Sequence, residues 1–251
     1  MRAPCRHYWL ATISAFGLTL IGSATASAQA RPDHRVAVAI EFGGRMTSMS
    51  FTQSITFEAF SEQGSLVTNY ALKHSPFVDG GVTVRVWRSL GAGMAVSSLH
   101  DSFGAQITAL IPHPIIANQP RTVTGDAPVT YREVAAHLQA VYWWQHGRRL
   151  GASFFGGPSV IRSDQDFVSD VSYSQTFPYN TASFEGATVV RQRTSATGFN
   201  AGGQVGWTIA GPFGITALAR YSRVVNHFPT IGTETVRGGG LNLGAGLQLL
   251  F

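Results

Sequence analysis

The sequence predicts an all-β protein: an up-and-down antiparallel transmembrane β-barrel of ten strands, with eight as the alternative count. Three observations predict it. Apolar and polar residues alternate with a period of two along most of the chain, the repeat of a sheet with two unlike faces. Charge is scarce, with only 12% of the 251 residues being Asp, Glu, Lys or Arg, against about 25% in an ordinary soluble domain. Short links between strands alternate with long ones, as in barrels with short periplasmic turns and long extracellular loops.

Composition excludes several other classes. A hydrophobic content of 44% is too high for a disordered chain. One cysteine among 251 residues cannot build a disulfide scaffold or a Cys-based zinc site. The 28 glycines follow no three-residue period, which excludes a collagen. The length suits one domain.

Residues 1–30 read as a signal peptide. Arg2 and Arg6 precede an apolar run, Leu10 to Gly22, that is too short to span a bilayer, and residues 24–30 offer small-residue cleavage sites. Residues 31–251 then form the barrel domain, without cysteine because Cys5 leaves with the signal. Loss of Arg2 and Arg6 lowers the formal net charge from +5 to about +3. The remaining arginines are scattered and the chain is exported, so no nucleic-acid partner is expected.

The strands follow in order. Val36, Val38, Ile40 and Phe42 alternate with Glu41 nearby, marking a strand near 36–46. Ile55, Phe57 and Ala59 flank Thr56 and Glu58. This pattern predicts strands over 51–60 and 66–73 joined at Glu62 to Ser65: either two further crossings, giving ten, or a hairpin in a long loop, giving eight. Val82, Val84 and Val86 flank Thr83 and Arg85 in a strand over 77–88. A run over 91–110 is too long for the bilayer and is expected to bend near His100 to Ser102 and project outward. Strands near 130–144, 149–162, 196–209, 213–226 and 238–251 complete the set, and Gly156-Gly157-Pro158 reads as a strand end. Long polar links are expected at 111–129, 163–195 and 226–237.

A soluble sandwich alternates in the same way but covers its polar face with Lys and Glu. Here that face is rich in Gly, Gln, Thr and Asn, and Lys73 is the chain's one lysine. The apolar face is therefore expected to meet lipid and the polar face to line the lumen. Glu41, Glu58, Arg85, Glu133, His137 and Arg220 are the expected lumen network, with carboxylates pairing the arginines. Trp87, Trp143, Trp144, Trp207 and Phe213 fall near the short-turn end and are expected to form a periplasmic aromatic girdle. A barrel of this size can be filled by side chains, so the lumen is expected to be closed or nearly so.

No motif for a cofactor, metal or nucleotide stands out, and no cofactor or metal is expected. Ser222 and His227 lie five apart, on opposite faces of a strand, which argues against a catalytic dyad. Asp164, Asp166 and Asp170 lack the glycine and terminal glutamate of a known calcium loop. Aromatics at 167, 173, 177, 179 and 184 suit either a recognition surface or a cap over the barrel mouth.

The terminal run Gly-Leu-Asn-Leu-Gly-Ala-Gly-Leu-Gln-Leu-Leu-Phe, residues 240–251, resembles the closing strand of Gram-negative outer-membrane barrels. With the signal peptide and Gly-rich strands, the chain is similar to the small outer membrane protein beta-barrel domain family. That resemblance implies an outer-membrane address, recognition of Leu247, Leu249 and Phe251 by the barrel-assembly machinery, and contact with outer-membrane lipids including lipopolysaccharide. The expected role is structural or surface-interacting in the cell envelope, by a monomer that is not an enzyme. The alternatives are a narrow channel or carrier for small or hydrophobic solutes, and a surface lipid- or peptide-modifying enzyme.

Overall fold

The computed structural model describes residues 34–146, 149–227 and 235–251; the signal peptide expected over 1–30 lies outside the described residues. Ten strands follow one another: β1 (Val36–Arg45), β2 (Met49–Ala59), β3 (Glu62–Leu72), β4 (Ser75–Trp87), β5 (Leu90–Ile111), β6 (Arg121–His146), β7 (Leu150–Gln175), β8 (Ala182–Ala210), β9 (Phe213–His227) and β10 (Thr235–Leu250). All belong to one antiparallel sheet, in the order β2-β3-β5-β4-β1-β10-β9-β8-β7-β6. A further β5–β6 pairing closes it.

Eight of the ten strands make the ring. β1 lies between β10 and β4, and β5 pairs with both β4 and β6. The other two form a hairpin in the first outer connection, where β3 pairs with the far end of β5 from Ser65↔Leu110 to Asn69↔Gln106. The ten-strand count thus describes the sheet and the eight-strand count the ring. Closure matters physically because an unpaired backbone group in hydrocarbon costs several kcal/mol. At the seam Phe251 N–H donates to Val36 O at 2.8 Å, and Phe251 O accepts from Val36 N–H at 2.9 Å. Gly246 permits the close approach there, since a Cβ at that position would sit 1.8 Å from Ile40 O.

The inner rim carries the tight turns, including Arg88-Ser89 and Gly211-Pro212. The outer end differs from the sequence reading. Residues 163–175 and 182–195 are strand rather than loop, and 121–129 belong to β6. Among the described residues the connections that remain are short, at 112–120 between β5 and β6 and at 176–181 between β7 and β8; of the link expected at 226–237, residues 226–227 and 235–237 are strand and 228–234 lie outside the described residues. The Ser, Thr, Asp and Arg residues that read as loop are the outward faces of these extensions. β5 passes His100 to Ser102 in unbroken register with β6, with no shift to mark a bend. Gly156-Gly157-Pro158 lies inside β7 rather than at an end. There the β6–β7 ladder skips from His137↔Ser159 to Ala140↔Gly156 because proline has no N–H to give. The Asn200 amide donates instead to the carbonyls of Gly157 and Pro158, at 3.0 and 3.3 Å. The β2–β3 turn falls at Phe60-Ser61, with φ of 52° and 61°, and residues 62–65 continue as β3. Both central residues take positive φ, as the twist of a two-residue hairpin requires.

The two faces of the sheet exchange character with height. On β6 the outward residues Leu138, Tyr142 and Trp144 are apolar and exposed, and the apolar row extends up to Val134. Above it the outward residues are Arg132, Thr130, Pro128, Asp126, Thr124 and Thr122. On the inward side the order is reversed: Glu133, His137 and Gln139 lie low, and Val123, Ala127 and Val129 lie high. Ten residues of outward apolar strand rise about 25 Å once tilt is allowed for, the height of a lipid-facing band. The lower ring therefore spans the membrane, and the strands continue beyond it.

The outer part has its own core. Leu66 and Tyr70 of β3, Ala105 to Ile111 of β5, Val123 to Val129 of β6, and Phe167, Val168 and Val171 of β7 pack together, with Phe51, Ile55, Phe57 and Phe184 against them. Tyr70 stacks on Phe51 at 4.6 Å and meets Phe167 edge-on at 5.7 Å. Its hydroxyl donates to Gln53 Oε1 at 2.6 Å and accepts from Val168 N–H at 2.8 Å. That N–H sits at a register shift between Val168 and Asp170 in the β7–β8 ladder. Buried in this core, the Tyr70 hydroxyl is pushed up to about 12.

Candidate functional site: the barrel interior and its outer extension

Alternation sends every second side chain of the ring inward, into a space with little room for water. A buried polar group there must find partners within the barrel. Arg45 at the top of β1 makes a forked pair with Glu133 of β6, Nη2 to Oε1 at 2.5 Å and Nη1 to Oε2 at 3.1 Å. Tyr131 Oη donates to the same carboxylate at 2.6 Å, and Arg45 Nε reaches Asn242 Oδ1 at 3.2 Å. Lower down, Arg220 of β9 pairs with Asp79 of β4 across the lumen. The Arg220 guanidinium also lies 5.2 Å from the centre of the Phe155 ring. Glu41 accepts from Gln204 Nε2 at 2.6 Å. His137 sits between two hydroxyls, its Nε2 3.1 Å from Ser97 Oγ and its Nδ1 2.7 Å from Ser159 Oγ. Gln139 donates to Asn200 Oδ1 at 3.0 Å.

These groups pack closely across the interior. Among Glu41, Asp79, Gln139, Gln204 and Arg220 a void of about 20 Å³ remains, enough for about one water molecule. Near the inner rim a cavity of about 60 Å³ lies beside Thr83, Arg85, Trp143, Gln204 and Gln248. Arg85 there stacks on Trp143 at 4.9 Å.

The structure brings Glu41, Arg85, Glu133, His137 and Arg220 into the interior. Glu58 is placed elsewhere: it is an exposed residue of β2 opposite Gln63, in the hairpin outside the ring. Alternation had put it opposite Phe57, but Phe57 faces the outer core rather than lipid. Among the aromatics, Trp87, Trp144, Trp207 and Phe213 are exposed on the outside, near the inner rim. Trp143 instead packs inside with Val141, Phe155 and Leu218. Adjacent strand residues face opposite ways, so Trp143 and Trp144 cannot share a girdle. Leu247 and Phe251 are exposed on the outside of the ring.

Sequence reasoning missed Arg45, Asp79, Tyr131, Asn200 and Gln204. A signal existed for three of them: Arg45 shares parity with Glu41, Asp79 with Arg85 and Tyr131 with Glu133. Asp164, Asp166 and Asp170 do not converge on a common point. Arg193 holds Asp164 at 2.7 and 3.2 Å, Arg191 holds Asp166 at 2.7 and 3.0 Å, and Asp170 accepts from Val171 N–H. The hydrogen bonds from Arg193 and Arg191 keep both carboxyls below the ordinary range. Ser222 is buried in the ring, and the His227 side chain lies outside the described residues. Among the described residues no group of three or more His, Cys, Asp or Glu side chains is arranged to hold a metal.

Comparison with known proteins adds resemblance at the level of architecture. No family model matches the chain, and no curated protein sequence does. Solved structures that resemble it are small Gram-negative outer-membrane barrels. The attachment invasion locus protein Ail of Yersinia pestis, solved with the heparin analogue sucrose octasulfate, is 12% identical, with a TM-score of 0.40 over 86% of this chain and 99% of its own. The outer membrane protein OprG of Pseudomonas aeruginosa is 7% identical, with a TM-score of 0.44 over 89% and 99%. The outer membrane protease OmpT of Escherichia coli is 10% identical, with a TM-score of 0.44 over 88% and 97%.

Proposed function

We propose that this chain is an outer-membrane protein of the cell envelope whose ring is a closed anchor and whose outer extension is the working part. The exported chain, residues 31–251, acts as a non-catalytic monomer that presents a rigid β-structured surface outside the membrane. The barrel-assembly machinery inserts it, guided by Leu247, Leu249 and Phe251.

The observation that carries this reading is the pair of cross-lumen ion pairs, Arg45–Glu133 and Arg220–Asp79, with only about 20 Å³ left beside the second. A hydrated ion has no path through that level without breaking a buried charge pair. The chain invests instead in the extension, where aromatic and branched side chains from six strands make a second core.

Single-channel recording on the refolded protein in a planar bilayer tests the reading. Folding is checked by a difference in gel mobility between boiled and unboiled samples. The expected record is silent at voltages that reveal ordinary porins. Stable, reproducible conductance steps from folded wild-type protein would refute the anchor and favour the narrow-channel alternative.

A further inference from the structure

The outward face just above the apolar band is basic on one side of the barrel. On β7 the last outward apolar residue is Val160 and the next outward residue up is Arg162. On β6 Val134 is followed by Arg132, and on β9 Arg223 stands between the outward Tyr221 and Val225. β6 and β7 thus place an arginine on the first step above the lipid-facing row, and β9 places one between its last two outward apolar residues. Strand register adds two more. Arg132 lies opposite Asp164, which lies opposite Arg193, and Asp166 lies opposite Arg191. Arg223 lies opposite Phe199 on the far edge of the group.

The side chains of Arg162, Arg191 and Arg193 are 53, 61 and 58% exposed, so their guanidinium groups reach water while held in place. Asp166 grips Arg191 and Asp164 grips Arg193, each through two oxygens. Five arginines against two aspartates leave a net positive surface. Higher on the same wall the outward charges turn acidic, with exposed Asp126, Asp170 and Glu185. Positive charge therefore begins at the step where the apolar row ends and continues up β8 to Arg193 and Arg191, below these acidic residues.

We infer that Arg132, Arg162, Arg191, Arg193 and Arg223 form a binding site for the phosphate groups of lipopolysaccharide in the surrounding outer leaflet. A planar guanidinium matches phosphate through two parallel hydrogen bonds. Aspartate-braced arginines lose less freedom on binding than free ones. Neighbouring strands are about 4.8 Å apart, so the group spans a headgroup carrying more than one phosphate. The position adds specificity of source. Phe154, Val160 and Phe199 lie exposed directly below, so a ligand with acyl chains continuous with its phosphates fills both zones.

This inference rests on the outer-membrane reading above, and the experiment separates the two. Lipopolysaccharide is titrated against the folded, detergent-solubilised wild type and against Arg132→Gln/Arg162→Gln/Arg223→Gln, with binding followed by native mass spectrometry. These three positions leave both aspartate-braced arginines intact. An arginine near an anionic lipid surface contributes about 1 kcal/mol, roughly fivefold each, so the triple variant is expected to bind about 100-fold more weakly. Arg132→Gln alone is expected to lose about fivefold, which keeps the test available if the triple variant folds poorly. Dephosphorylated lipopolysaccharide is expected to bind wild type as weakly as lipopolysaccharide binds the triple variant. Triple-variant affinity within about threefold of wild type overturns the site, as does equal binding of the dephosphorylated lipid. Inorganic polyphosphate competing as well as lipopolysaccharide, phosphate for phosphate, overturns the lipid as its source. Wild-type protein that shows no boiled-versus-unboiled mobility shift counts against the outer-membrane reading instead.

Discussion

Arg220→Met removes one half of the buried pair across the middle of the lumen. Asp79 would then face Glu41, its neighbour in the β1–β4 register, without the guanidinium that separates their charges. Both partners of the pair are almost fully buried, with side chains 3% and 2% exposed. Breaking a buried ion pair from one side costs about 3–5 kcal/mol, because the remaining charge has no partner and no water. That range is roughly two to nearly four powers of ten in the unfolding equilibrium. Removing both charges avoids the penalty, so Asp79→Leu/Arg220→Met is expected within about 1 kcal/mol of wild type. The assay is reversible urea unfolding of the protein in lipid vesicles, followed by tryptophan fluorescence, for wild type, both single variants and the double variant. A coupling energy below about 0.5 kcal/mol, the scatter expected of independent sites, would refute the claim that the pair holds the lumen closed. Conductance supplies a second readout. Arg220→Ala opens the level at which the void is only about 20 Å³, and it is expected to admit small ions where wild type does not.

Three further predictions concern the extension. Tyr70→Phe leaves Val168 N–H and Gln53 Oε1 without their partner, at about 1–3 kcal/mol for each buried unsatisfied group; faster amide exchange at Val168, with unchanged exchange in the lower ring, is the expected result. Replacing residues 47–74 with a short Gly-Ser linker is expected to leave a heat-modifiable eight-stranded ring, because β1 and β4 already pair directly. It also strips the cover from the outer core, so protease should cut β5 to β8 above the membrane, and loss of the barrel itself would count against the closure described here. Asp164 and Asp166 have native values below the ordinary 3.8. Their ion pairs therefore lend stability above pH about 4 and lose it as pH falls through the lowered native values. Amide exchange in the β7–β8 hairpin, corrected for the intrinsic rate, is expected to quicken on acidification below about pH 4, and an unchanged protection pattern would sink the idea.

Most of the membrane-spanning ring was legible in the sequence. Leu241, Leu243, Ala245 and Leu247 alternate with residues of the opposite face, and a single parity choice orients each lower strand. The extension was not, for a physical reason. Phe103, Ala105, Ile107 and Ala109 continue the period of two, but their face now points inward. The pattern is unchanged while its meaning is reversed, and the outward Ser, Thr and Asp residues then read as loop. Trp143 and Glu58 went astray in related ways. Trp143 was grouped by its distance from a turn, although parity with Val141 places it inside. Glu58 was grouped by parity, although β2 does not cross the membrane. The long-range partners Arg45–Glu133 and Arg220–Asp79 lie 88 and 141 residues apart. Only the closed register brings them together.

The reversal along β5 has one more consequence. The strand runs from Leu90 to Ile111 without a register shift, so it acts as a single stiff ruler graduated on both sides. Sliding outward by one two-residue step would lift exposed Met94 and Val96 toward water on the outside. Sliding inward would drag the outward Ser102 and Gly104 toward lipid, together with Arg132 on the neighbouring strand. Each displacement meets a restoring force from both leaflet boundaries at once. The depth at which this barrel floats is therefore written into a change of phase in its strands, and grafting the outer extension onto another barrel would have to preserve that phase to keep the molecule level.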